Sequence, residues 1–208
     1  MLSEYRSGAI TSFDGGVNPG RQDRQGSLAV IQGGAKYRDA LLRGNLFLGA
    51  NQAGQSLSVL SGTVTGFCLQ NPFGNTKYFI LYEVGFLKTN TANNNANSGI
   101  QLAWHPFTAA AITHTATETP RNCLLGSGGV STALIDNSNS GQSVPFAIVN
   151  MWQSSISATA TSGVPSYITY RADGLFFLLP GMALSMSGLG TTSAGATHMI
   201  WEEVNLPV

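Results

Sequence analysis

The sequence predicts an all-β protein, a β-sandwich of jelly-roll type with an extended N-terminal arm. Three observations predict it. From Asn45 onward, short runs of β-branched, aromatic and aliphatic residues are separated by Gly, Asn, Ser and Pro clusters every eight to fifteen residues. About twelve such runs occur with almost no helical periodicity, which favours a sandwich or barrel over alternating β and α units. Charge is unevenly placed: residues 1–43 carry ten of the 20 charged side chains, so this front segment and the remaining 165 residues face different environments.

Residues 1–43 mix Gly, Pro, Gln and charge without sustained periodicity, and DGGVNPGRQDRQG at 14–26 is a turn-and-loop composition, so the segment reads as an arm. Within it, AKYRDALLRG can form one short helix. Ala35, Tyr37, Ala40, Leu41 and Leu42 would share a face and Gly44 would stop it.

Residues 44–208 read as the sandwich body. Its expected strands are NLFLGA (45–50), SLSVL (56–60), TGFCLQ (65–70), KYFILYEVGFLK (77–88), GIQLAWH (99–105), AAITHT (110–115), RNCLL (121–125), PFAIVNMWQSSIS (145–157), SYITYR (166–171), GLFFLL (174–179), MALSMS (182–187) and THMIWEEV (197–204). TNTANNNANSG (89–99), DNSNSGQS (136–143), TATSGVP (159–165) and GLGTTSAGA (188–196) are polar and glycine-bearing, and read as loops across the ends of the sandwich. NPFGN (71–75) and LLPGM (178–182) mark tight turns. The near-continuous apolar run of 77–88 predicts a strand buried on both faces, whereas MALSMSG and SLSVL alternate in period two and predict half-exposed strands.

Only 10% of residues are charged, against roughly a quarter in typical soluble domains. The 25 glycines and abundant Ser, Thr, Asn and Ala cover the surface instead, and such a surface associates readily. Ten basic residues balance ten acidic ones, which gives no electrostatic footprint for nucleic acid or an anionic membrane. MLSEYRSGAITSF holds no apolar run that would serve as a signal-peptide core, and no stretch of about 18 apolar residues occurs, so neither that secretion route nor membrane spanning is expected. Cys68 and Cys123 stand singly in apolar runs, which reads as two buried free thiols, with a disulfide between paired strands as the alternative.

Enzyme chemistry finds no anchor. GxSxG, HExxH and GxxxxGK[ST] patterns do not occur, nor does a Ser/His/Asp trio with a recognisable local signature. His105 and His114 are nine residues apart near the ends of two expected strands, where a hairpin would bring them together as metal ligands; no further ligand lies at suitable spacing, so structural histidines are expected and no metal. GSGGVS (126–131) imitates an anion-binding nest but precedes no helix, and a flexible loop is the better reading. Glu202 and Glu203 are consecutive on a strand and point to opposite faces, so they do not form an acid/base pair. Such a pair suits an interface or a charged edge. Trp104, Trp152, Trp201, Tyr167 and Tyr170 all lie in strands; they could build a sugar-stacking platform, but burial is the commoner fate.

The stretches LFLGANQAGQSLSVLSGTVTGFCLQNPFGNTKYFILYEV and GLFFLLPGMALSMSGLGTTSAGATHMIWEEV give the chain a resemblance to structural proteins of tailed bacteriophages, especially head decoration (cement) proteins with a β-sandwich or jelly-roll body. The resemblance spans roughly residues 40–204 and rests on strand and turn patterns. It implies a virion structural protein, assembled in the host cytoplasm, that forms a homotrimer and braces the major capsid protein, with no cofactor. By the same analogy the charged arm lies along capsid subunits, which makes Arg21, Arg24, Lys36, Tyr37, Arg38 and Arg43 the candidate partner-binding residues. The alternative is a tail- or fibre-associated receptor or glycan-binding module.

Overall fold

The computed structural model describes residues 37–51, 55–57, 63–88, 98–106, 113–114, 116–140, 147–154, 167–189 and 193–206. Residues 1–36 of the expected arm (1–43), residues 89–97 of the expected loop at 89–99, and the expected loop at 159–165 lie outside the described residues. The body described below belongs to the compact unit Asp39–Val208.

One short helix leads into it. α1 covers Arg38–Leu42 and ends as the sequence predicts. Gly44 takes φ 70°, the Gly44 amide donates to Leu41 O at 3.0 Å and the Asn45 amide to Ala40 O at 3.1 Å, the paired bonds of a Schellman stop. The expected face does not extend backwards: Tyr37 has φ 73° and sits outside the helix.

Thirteen strands follow among the described residues. They are β1 (Leu46–Ala50), β2 (Gln55–Leu57), β3 (Thr63–Gln70), β4 (Lys77–Lys88), β5 (Ser98–His105), β6 (Thr113–His114), β7 (Thr117–Glu118), β8 (Arg121–Asn122), β9 (Leu134–Ser140), β10 (Ala147–Ser154), β11 (Tyr167–Leu178), β12 (Ala183–Leu189) and β13 (Ser193–Asn205). All described pairings are antiparallel and form two sheets. The first has the order β11-β4-β13-β1-β8, with β2 also on β13; the second has the order β10-β5-β12-β3-β9-β6, with β7 also on β9. The pairing is nested along the chain: β1 and β2 lie on β13, β3 on β12, β4 on β11 and β5 on β10.

One apolar core joins the sheets. Phe47, Phe79, Leu81, Val84, Phe86, Met199 and Trp201 from the first sheet pack with Phe67, Leu69, Ile100, Leu102, Trp104, Ile135 and Leu184 from the second. Trp104 meets Phe176 of the opposite sheet with ring centroids 4.6 Å apart. Each large side chain so buried contributes on the order of 2–3 kcal/mol from area removed from water. Close approach between the sheets needs Gly49, where an added Cβ would fall 2.1 Å from Ile135 Cδ1 and 3.2 Å from Trp201 Cζ3.

Four sequence expectations are corrected. β4 buries one face, not two: Phe79, Leu81, Val84 and Phe86 point inward, while Leu87 is exposed and Ile80 and Tyr82 are half-buried. The inward set changes parity because Tyr82 is an extra residue, with Ile200 paired to Glu83 and Trp201 to Leu81. Among the described residues β12 is buried on both faces, as are its neighbours β5 (100–105) and β3 (66–70); in β12 Leu184 and Met186 enter the core while Ala183, Ser185 and Ser187 are also buried. Its alternation is large against small, not buried against exposed. DNSNSGQS is no simple loop, since β9 runs to Ser140 between β3 and β6 and β7; ladder bonds on both sides outweigh the poor strand preference of Asp and Asn. SYITYR and GLFFLL form the single strand β11, because Asp173 (φ 50°) and Gly174 (φ 83°) make a kink within it and not a reversal.

Candidate functional site

A polar network sits at the end of the sandwich where β1 and β4 begin and β11 and β13 finish. NPFGN and LLPGM fold there as tight turns, closed by Asn75 N–H to Pro72 O at 3.2 Å and Met182 N–H to Leu179 O at 3.0 Å, with Gly74 and Gly181 at positive φ. Asn71, fully buried, binds both turns together. Its amide donates to Met182 O, its carbonyl accepts from Gly181, and its side-chain nitrogen donates to Lys77 O and Leu178 O, each at 2.9 Å.

Glu203 is the centre of this end. Its side chain points inward from β13, as period two requires, and is buried. Lys77 Nζ lies 3.1 Å from Oε2; Thr132 donates its amide at 3.0 Å to Oε1 and its hydroxyl at 2.9 Å to Oε2; Ser131 donates its hydroxyl to Oε1; and Trp201 Nε1 stands 3.5 Å away. The glycine-rich stretch 126–131 therefore leads into a pair of donors that hold an anion, and the anion is the protein's own carboxylate. Asn75 ties the same Thr132 hydroxyl to the 71–75 turn at 2.9 Å. Glu202 points to the other face of β13 and accepts from Tyr82 Oη at 2.5 Å. Neither acid forms a charged edge, which corrects that expectation. Neighbouring signals in sequence, hydroxyls at 131–132 after three glycines and paired asparagines at 71 and 75, carry this site, but nothing local links them to Glu203.

The histidines are dispersed. His105 bonds Ser185 Oγ at 2.7 Å within the second sheet. His114 pairs with buried Asp136 Oδ2 at 3.0 Å, and Asp136 Oδ1 accepts the Ala116 amide, which fastens the 113–118 segment to β9. His198 lies 3.4 Å from Glu83 on the outer face of the first sheet, over Gly85 and stacked on Tyr167. No hairpin joins His105 and His114, since β5 and β6 are four positions apart in the sheet order, about 19 Å at ordinary strand spacing. Among the described residues no group of three His, Cys, Asp or Glu side chains is placed to hold a metal ion.

Cys68 and Cys123 are free thiols. Cys68 is buried as expected; Cys123 is only partly so, and that burial still pushes its thiol above the ordinary value.

Of the aromatics considered for sugar stacking, Trp104 and Trp201 are in the core and Tyr170 packs on Phe176, while Tyr167 is exposed. The side chain of Trp152 lies outside the described residues. Among the six candidate partner-binding residues, Arg21, Arg24 and Lys36 also lie outside them. Arg38 begins α1, with Tyr37 just before it and Arg43 just after; Arg38 and Arg43 are exposed and Tyr37 is half-buried.

Large apolar side chains remain exposed on several elements. Leu125 (93% exposed) and Val130 (82%) lie in the loop before Ser131, Phe73 (75%) and Leu179 in the two turns, and Leu42, Leu87, Leu134 and Ile148 are exposed elsewhere. Tyr167, Leu175 (70%) and Phe177 lie along β11. No family model, curated protein or solved structure matches this chain.

Proposed function

We propose that the chain is a virion structural protein, a capsid cement or decoration subunit whose body is a jelly roll and whose work is packing against copies of itself and against the major capsid protein. The observation that carries the reading is the surface of the body. Leu125, Val130, Phe73, Leu175, Phe177 and Leu179 are at least half exposed on a chain with only 10% charged residues. Large apolar side chains this exposed, on a surface poor in charge, suit a protein-contact surface.

The nested pairing supports the jelly-roll reading. A long antiparallel ribbon, folded so that β1 meets β13, β3 meets β12, β4 meets β11 and β5 meets β10, has the strand order of two interleaved Greek keys, with β6 to β9 as an insertion between β5 and β10. Such bodies work as rigid bricks, and the buried Glu203 and Asn71 networks suit that task by locking the loops at one end. The homotrimer and the docking of the arm rest on the resemblance to phage decoration proteins.

The test is co-sedimentation with empty capsids of the virus whose genome carries this chain. The full chain should bind, and a chain lacking residues 1–36 should lose binding while keeping its oligomeric state. Full-length protein that stays in the supernatant at micromolar concentration contradicts the reading.

A further inference from the structure

We propose that three braced loops, residues 71–75, 122–132 and 178–182, form one docking end, and that Leu125 and Val130 on it insert into an uncharged, apolar hollow of the shell protein. The proposal rests on the capsid reading above and names the contact surface and the chemistry of the partner.

The loops are tied to one another within the chain. Asn71 joins 71–75 to 178–182, since its carbonyl accepts the Gly181 amide and its own amide donates to Met182 O. Asn75 joins 71–75 to the third loop: its side-chain nitrogen donates to the Thr132 hydroxyl at 2.9 Å and to Asn71 Oδ1 at 2.7 Å. The other end of that third loop is held by Asn122, whose Nδ2 donates to Gly44 O at 2.6 Å and whose Oδ1 accepts the Leu124 amide at 2.8 Å. Side chains carried on loops fixed in this way bind without the cost of ordering the backbone.

The exposed side chains of this end are apolar, and its loops carry no charge. Leu125 is 93% exposed, Val130 82% and Phe73 75%. No Asp, Glu, Lys or Arg occurs in 71–75, 122–132 or 178–182. Lys77 and Glu203, which lie beneath, are paired with each other, and Arg121 belongs to β8, before the loop begins. A strongly acidic or basic partner therefore gains no ion pair from these loops, and removal of apolar surface from water is what drives the contact. Aliphatic side chains this exposed are projections and need a concave acceptor. The same end of a second copy presents projections of its own, so the hollow belongs to a different protein.

Co-sedimentation of the full chain with the empty capsids named above tests it. The variant is Leu125→Asn with Val130→Asn, and the control is Ile148→Asn, an exposed apolar position on β10. Both variants should keep the wild-type circular dichroism spectrum. The paired variant should lose capsid affinity by about tenfold or more, and Ile148→Asn should bind as the wild type does. Wild-type affinity should hold steady between about 50 and 500 mM salt. A paired variant that binds like the wild type, an equal loss in Ile148→Asn, or an affinity that falls steeply with salt overturns the docking end and leaves the capsid reading standing. Two further results also overturn it. A mass in sedimentation velocity that drops only in the paired variant makes a second copy the occupant, and flotation of the wild type but not the variant with phosphatidylcholine vesicles makes it a bilayer. A wild-type chain that does not bind the capsids overturns both the docking end and the reading it rests on.

Discussion

Lys77 Nζ lies 3.1 Å from the Glu203 carboxylate, joining the first residue of β4 to the end of β13 in a site where the acid is wholly shielded and the amine is one quarter exposed. The pair is set among further donors from Ser131 and Thr132, so Glu203 serves as the anchor for the loop that precedes β9. Replacing Glu203 by Ala removes the acceptor and leaves the loop donors and a partly buried ammonium unpaired. A loss of about 3 kcal/mol is expected, read as a fall in the chemical denaturation midpoint. Thr132→Val removes one hydroxyl and keeps the amide, and should cost about 1 kcal/mol.

Asn71 tests whether the two turns act together. Asn71→Ala removes the donor to the part-buried Lys77 O and the buried Leu178 O. A destabilisation of about 2 kcal/mol is expected by thermal denaturation, with hydrogen exchange quickened in both 71–76 and 179–182. Quickening confined to 71–76 would contradict the coupling of the turns.

Gly49 sets the distance between the sheets. Gly49→Ala would press its methyl against Ile135 Cδ1 and the Trp201 ring, and overpacking of this kind costs about 1–3 kcal/mol. Shortening the obstructing side chain with Ile135→Val should recover part of that loss. The double variant should therefore be more stable than the sum of the two single effects, and strict additivity would argue against the contact.

Cys123 gives a pH prediction. Desolvation raises its thiol pKa in the folded state, so the folded protein retains the proton over a pH range in which the unfolded chain has released it. The associated stability is complete below the ordinary thiol value and falls as pH rises past it. Iodoacetamide should alkylate Cys123 in the native protein more slowly than in the denatured chain at the same alkaline pH, with Cys68 slower still because it is buried.

The body was largely legible in the sequence because strand content follows from local residue type. β4 has the expected bounds, and β1 and β5 differ by one residue, since apolar runs between turn clusters leave little freedom in register. What was not legible depends on neighbours. β9 carries Asp136, Asn137 and Asn139, which favour turns in isolation, and becomes a strand because β3 and β6 supply its ladder bonds. β12 looks half-exposed because Ser185 and Ser187 are polar, yet both are buried, and composition cannot distinguish a small residue facing water from one facing protein. The Glu203 site was missed for a related reason. Its acceptor stands at 203, its donors at 77, 131 and 132, and only the folding of β13 beside β4 brings them together.

Whether this chain is, as proposed, a brick in a particle is tested most directly by electron cryo-microscopy of intact particles assembled in the cells that express it. Two-sheet density matching β1 to β13 is expected at symmetry-related positions on the shell, with its low-charge apolar surfaces covered by neighbouring subunits. Particles whose shell and appendages contain no such density would contradict it.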